Sequence, residues 1–99
     1  MASRSSCAGA SSLEELMVQA AIGDAEACFE LGLMHAVGRG VELDYIAAHK
    51  WFNLAALAGE SRAAAERSAL AEEMSPAEVA EAQRQARAWR ARPGLQAAA

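Results

Sequence analysis

Two stretches of the sequence share one local pattern and lie a repeat length apart. The first is AIGDAEA at residues 21–27, and the second is ALAGESRAA at residues 56–64. Each contains small residues, a glycine and an acidic residue, followed by a segment rich in helix-forming residues. Gly23 and Gly59 are 36 residues apart, close to the period of about 34 residues in helical-hairpin repeats. The spacing therefore predicts one complete helical hairpin, with partial units on either side.

Start and stop signals divide the chain into five predicted helices. Four of them have a capping residue at the start: Ser12, Asp24, Asp44 and Ser75. Both serines are followed three residues later by a glutamate, which is the pattern of a capping box. Three of the helices end at a glycine: Gly23, Gly38 and Gly59. Because the connections are short, neighbouring helices should be antiparallel, and the predicted fold class is all-α.

Charge and composition indicate which classes of partner the chain can bind. Alanine makes up about a quarter of the chain, which favours close helix packing through small side chains. The formal net charge is −4, with an acidic segment at 12–75 and a basic one at 76–99. An acidic body argues against nucleic acid, since neutralising phosphates dominates that binding. No apolar run approaches the roughly 18 residues of a membrane span, so no membrane insertion is expected.

The compartment is predicted from the cysteines and the first residues. Cys7 and Cys28 form no paired motif, which indicates a reducing environment. The start of the chain, MASRSSCAGASS, lacks the apolar run of a signal peptide. We therefore expect a cytoplasmic protein. The excess of arginine over lysine, together with the alanine content, is typical of a GC-rich bacterial genome.

The complete unit resembles the Sel-one-like repeat family, a longer relative of tetratricopeptide repeats. The family pattern combines spaced glycines, a Leu-Gly pair, Gly-x-Gly-Val, an aspartate, a tryptophan and an Ala-Ala pair. It falls here on Gly23, Ala27, Leu31, Gly32, Gly38, Gly40, Val41, Asp44, Ala48, Trp51, Ala55, Ala56 and Gly59. One departure is His35, which stands where the family usually has tyrosine.

The resemblance implies a short right-handed, tetratricopeptide-like α-solenoid. The repeat domain covers 12–91. The small and polar residues 1–11 predict a disordered tail, and RPGLQAAA at 92–99 predicts a frayed one. Within the domain, the complete repeat covers about 24–59, and a closing helix pair covers 60–91. Members act as adaptors that hold other proteins together. Cysteine-rich members with hydrolase-like activity carry paired cysteines in each repeat, and this chain lacks those pairs.

Other candidate site residues have sequence contexts that favour structural roles. Gly38-Arg39-Gly40 has the glycines of a phosphate loop, but a helix precedes it, and VELD follows in place of Gly-Lys-Ser/Thr. His35 and His49 lie on different predicted helices and lack further metal ligands at helical spacing. Cys28 lies on an apolar face, which favours a core thiol over a nucleophile. No catalytic, metal or cofactor-binding residue is predicted, and no cofactor.

The predicted function is a non-enzymatic adaptor or scaffold that binds one or more proteins. Its groove should be lined by the second helix and its neighbours, with partner contacts at Glu26, Glu30, Met34 and Arg39. Two alternatives stay open: a self-assembling structural protein that forms homo-oligomers, and a hydrolase of the cysteine-rich kind. The basic run of Arg84, Arg87 and Arg90 is interpreted as complementing a helix dipole rather than as an anionic-surface site.

Overall fold

The helices begin and end close to the signals in the sequence. The computed structural model describes residues 12–92, which contain five helices and no strand. The helices are α1 (Leu13–Ala21), α2 (Ala25–Val37), α3 (Tyr45–Leu57), α4 (Ala63–Ala71) and α5 (Pro76–Ala91). This confirms the all-α helical-repeat fold. The predicted tail at 1–11, and residues 93–99 of the predicted C-terminal tail, lie outside the described residues.

Side-chain caps start four of the helices, as the sequence predicts. Ser12 and Ser75 each form a complete capping box, in which the Ser75 hydroxyl accepts from the Glu78 amide at 3.1 Å. Asp24 and Asp44 cap α2 and α3 by accepting backbone amide hydrogens. The exception is α4, which begins after Arg62 without a side-chain cap. These caps satisfy amides that the first helical turn leaves unpaired.

A tight connection at 38–44 joins α2 and α3 into the central hairpin. Gly38 has a φ of 74°, in the left-handed region that ends many helices, and its amide donates to Met34 O at 2.8 Å. The Asp44 amide closes the loop by donating to His35 O at 3.0 Å. The stretch is therefore a helix connector rather than a phosphate loop, and it sets α3 against α2.

The centre of the fold is α3, which packs against α2, α4 and α5. Trp51, Phe52 and Leu31 are the largest fully buried side chains. The Phe52 ring lies 5.7 Å from the Phe29 ring and fills the space beside Gly32. Trp51 meets Trp89 of α5 edge-on, with ring centroids 4.9 Å apart. Few large side chains thus hold α3 to helices on both sides, and alanines allow the close approach.

Arg92 is bonded to the helical domain, although the sequence places it in the predicted frayed tail at 92–99. Its guanidinium donates to the Ala21 carbonyl at 2.9 Å and to the Trp89 carbonyl. The same group lies over the Trp89 ring, 3.7 Å from its centroid. Arg92 therefore ties the end of α5 to the end of α1.

The five helices are short. Between residues 12 and 92, no helix combines the length and the apolar character that a membrane span requires.

Candidate functional site

One stripe of exposed and half-buried side chains runs the length of α2 and includes two of the predicted partner contacts. Glu26, Glu30, Leu33 and Val37 follow one another at intervals of four, three and four, so they share one side of the helix. The predicted Arg39 follows at the end of α2. We call Glu26, Glu30, Leu33, Val37 and Arg39 the α2 surface. It is acidic near the start of the helix and apolar near its end, where Val37 is 64% exposed.

Glu26 is held by an arginine from the start of α4. Its carboxylate accepts from the Arg62 guanidinium at 2.8 Å, and the same guanidinium pairs with Glu60 at 2.7 Å. Arg62 also lies over the Phe29 ring, 4.3 Å from the centroid. Its hydrogen bonds hold the pKa of Glu60 at about 2. Glu26 is therefore oriented while more than half of its side chain stays in solvent.

Glu30 has a looser partner. Its carboxylate lies 3.8 Å from the Arg39 guanidinium, and the two side chains are 41% and 63% exposed. Exposed ion pairs of this length contribute little free energy, because water screens the charges and ordering two long side chains costs entropy. Either side chain can therefore leave this pair and bind a charged group of another molecule at little cost in free energy.

The expectation that Met34 is exposed is wrong. Met34 is only 7% exposed and belongs to the hydrophobic core. The connection at 38–44 folds back over α2, so that a Cβ at Gly40 would lie 3.2 Å from the Met34 methyl group. Met34 therefore fills the space under the loop and is covered from solvent.

A cleft of about 250 Å³ opens where the ends of α1, α3 and α5 meet the start of α2. Its lining includes Cys28 and Leu54, which are buried, and Leu57, which is 57% exposed. Trp89, Arg90 and Arg92 contribute from α5. The sequence does not predict this cleft, because its residues come from four helices and share no spacing. The one local signal was the pair of arginines beside Trp89.

The residues of the repeat pattern form helix contacts, helix ends and caps of the fold. Six are buried at helix contacts: Ala27, Leu31, Gly32, Ala48, Trp51 and Ala55. Four glycines adopt positive φ at helix ends and in the connection: Gly23, Gly38, Gly40 and Gly59. Asp44 is the cap of α3, and Val41 and Ala56 are half-buried against the core.

Comparison with known proteins identifies the central hairpin. Residues 25–60 match the family model of the Sel1 repeat. The chain carries a Sel1 repeat. This confirms the resemblance, and the match covers α2, α3 and the connection between them. No curated protein and no solved structure matches the chain.

Within the Sel1 repeat, the Cys28 thiol and the His49 imidazole are buried. Cys28 is a free, buried thiol, and burial raises its pKa to about 11, so it is protonated at neutral pH. His49 is 2% exposed, and its Nδ1 has no hydrogen-bond partner within the described chain. Burial is the main cause that lowers its pKa, followed by the charge of Arg67. Residues 12–92 contain no group of three or more side chains suited to hold a metal ion.

Beyond the Sel1 repeat, the arginines of α5 differ from one another. Arg84 pairs with Glu81 through two bonds of 2.9 and 2.6 Å, so it balances a neighbouring carboxylate. Arg90 lies in the last helical turn, where a positive charge complements the helix dipole. The dipole interpretation therefore holds for Arg90 and not for Arg84.

Proposed function

We propose that this chain is a non-enzymatic adaptor that binds other proteins through the α2 surface. Sel1 repeats generally mediate protein–protein interaction, and the family is typically non-catalytic. The observation that carries the proposal is the stripe from Glu26 to Val37. It combines the Glu26 carboxylate, which Arg62 holds, with the half-exposed Glu30 and the exposed side chain of Val37 on one helix.

The chemistry of this stripe favours a basic and apolar partner segment. A lysine or arginine of the partner would compete with Arg39 for Glu30, at small cost because that pair is long and exposed. An apolar partner side chain would cover Val37 and gain free energy from the area removed from water. The free thiol of Cys28 is consistent with a reducing compartment, and we propose the cytoplasm.

The test is affinity capture from the source cell with a charge-reversed variant. Glu26→Lys with Glu30→Lys should lose the captured partners, with at least about a fivefold drop in enrichment. The matched control is Glu72→Lys with Glu73→Lys, which changes the same charge at exposed positions after α4. Thermal unfolding of both variants checks that the fold survives the loss of the Glu26–Arg62 pair. Equal capture by both variants would contradict the α2 surface as the binding site.

Self-assembly is the second candidate, and the separation of charge along the chain favours it. Residues 12–75 are acidic and residues 76–99 are basic, so a head-to-tail contact would pair opposite charges. Repeat arrays also need their end faces covered. Light scattering across a concentration series tests this candidate, and a monomer at high concentration would exclude it.

A further inference from the structure

The cleft lies on the opposite side of α2 from the α2 surface. Cys28 lines the cleft, and Glu26 belongs to the α2 surface. Two residues along a helix correspond to a rotation of about 200°, so these side chains point in nearly opposite directions. A molecule in the cleft would therefore leave the α2 surface accessible.

The size and lining of the cleft suit a peptide side chain better than a cofactor. Its volume of about 250 Å³ is below the range of about 300–1,000 Å³ typical of small-molecule sites. The apolar lining of Cys28, Leu54 and Leu57, with the indole of Trp89, would cover one large aliphatic or aromatic side chain. Leu57 is more than half exposed, so part of this lining is in contact with water. Docking would remove that surface from water, which is the main gain in such contacts.

The charges at the cleft are positive. Arg90 and Arg92 line it, and none of its lining residues is acidic. Arg92 is fixed by its bonds to the Ala21 and Trp89 carbonyls, whereas Arg90 makes no hydrogen bond or ion pair within residues 12–92. Asp24 lies close enough to influence Cys28, but its carboxylate accepts the Glu26 amide hydrogen as the cap of α2. An incoming carboxylate therefore finds one guanidinium that is unpaired and one that is already in place.

We propose that the cleft docks an acidic, apolar segment of a partner protein. One large apolar side chain of that segment lies against Leu57 and Trp89, and a neighbouring carboxylate pairs with Arg90. This inference rests on the proposed adaptor function and gives it a second site with the opposite charge preference. The chain then bridges a basic segment on the α2 surface and an acidic segment in the cleft.

Two synthetic peptides that differ only in charge test the proposal. The probes are Ac-Gly-Glu-Leu-Leu-Glu-Gly-NH2 and its counterpart with lysine in place of each glutamate. Each is titrated into isotope-labelled full-length chain, and the amide resonances are followed by NMR. The acidic peptide should shift the resonances of Leu57, Trp89 and Arg90 in a saturable way, and the basic peptide should not. No shift at these residues, or equal shifts with both peptides, would overturn the proposal.

Variants of the cleft test its charged and its apolar contact separately. Arg90→Glu should weaken binding of the acidic peptide about threefold to fivefold, the range of an exposed ion pair. Leu57→Ala should weaken it about tenfold, because buried apolar area is lost. Arg87→Glu is the matched control, since it reverses a charge at an exposed position of the same helix, outside the cleft lining. If Arg87→Glu weakens binding as much as Arg90→Glu, the attraction is non-specific and the cleft is not the site.

The remaining outcomes separate this proposal from the adaptor function. Concentration-dependent shifts at Leu57 and Trp89 without any peptide would mean that a second copy occupies the cleft, which contradicts a partner segment. Glu26→Lys with Glu30→Lys should leave the peptide titration unchanged. Peptide binding that fails while capture through the α2 surface persists would remove the cleft and leave the adaptor. Loss of capture with intact peptide binding would remove the α2 surface instead.

Discussion

At the scale of single residues, two glycines of the central hairpin serve opposite purposes. Gly38 is needed for its backbone, since its φ of 74° lies in the left-handed region that costs other residues about 1 kcal/mol or more. Gly32 is an ordinary helical residue that is needed for its lack of a side chain. A Cβ there would lie 2.5 Å from two ring carbons of Phe52. The helix end at Gly38 can be predicted from the sequence. The contact at Gly32 cannot, because it depends on Phe52, twenty positions away.

Gly32→Ala tests this contact, because the sign of the change in the free energy of unfolding depends on it. In an unhindered helix the change would stabilise by about 1 kcal/mol, because alanine is the better helix former. Here we expect a loss of about 1–3 kcal/mol, since Phe52 is 1% exposed and has no space to retreat. Urea unfolding measures the difference.

Two further variants in the central hairpin provide reference values for the stability of Gly32→Ala. Gly38→Ala should cost about 1 kcal/mol through backbone strain, and Arg39→Ala should leave the unfolding midpoint nearly unchanged. A more stable Gly32→Ala variant would show that Phe52 does not pack as described.

At the scale of the elements, sequence and structure agree where the determinants are local. The caps at Ser12, Asp24, Asp44 and Ser75 act within three residues, so a single sequence reveals them. Which side of a helix is covered depends on distant parts of the chain. The prediction for Met34 failed because the 38–44 connection folds back over α2, and no periodicity in α2 encodes that fold.

The buried imidazole of α3 makes stability depend on pH. Burial and the charge of Arg67 lower the folded-state pKa of His49 below its ordinary value near 6.5, so folding disfavours the protonated imidazole. The unfolded chain binds that proton more readily. The free energy of unfolding is therefore undiminished by His49 above about pH 6.5. It falls as the pH is lowered, and it levels off below the folded-state pKa of His49. Urea unfolding at about pH 7.5 and at about pH 5.5 should show the decline.

A leucine at His49 should remove most of this pH dependence. The control is His35→Gln, which removes an imidazole that is only half-buried and should keep the decline. Glu60 and Glu81, with pKa values of about 2, do not titrate in this interval. An unchanged decline in His49→Leu would assign the effect to another group.

At the scale of the whole molecule, the five helices are unevenly supported. α3 has packing partners on both sides, whereas α1 packs mainly against α2. The sequence predicted the order of the helices and the repeat between them. It did not predict the cleft, since that requires the ends of α1 and α5 to meet across the hairpin.

Hydrogen exchange should follow this uneven support. Amides of α3 should exchange slowest, and those of α1 faster, because α1 packs mainly against one neighbour and can open without disturbing the other helices. Mass-spectrometric exchange on the intact chain measures the gradient. Arg92→Ala should speed exchange in α1 and leave α3 unchanged, since it removes the bond to Ala21. Equal protection of α1 and α3 would mean that the domain opens only as one unit.

The bond between Arg92 and Ala21 also bears on how the chain folds. The main helix contacts all join neighbours or next neighbours along the chain, a low contact order that is typical of fast folding. This one bond spans 71 residues, so forming it early would cost the most loop-closure entropy. We therefore expect the α2–α3 hairpin to form the nucleus, and the two ends of the domain to join last.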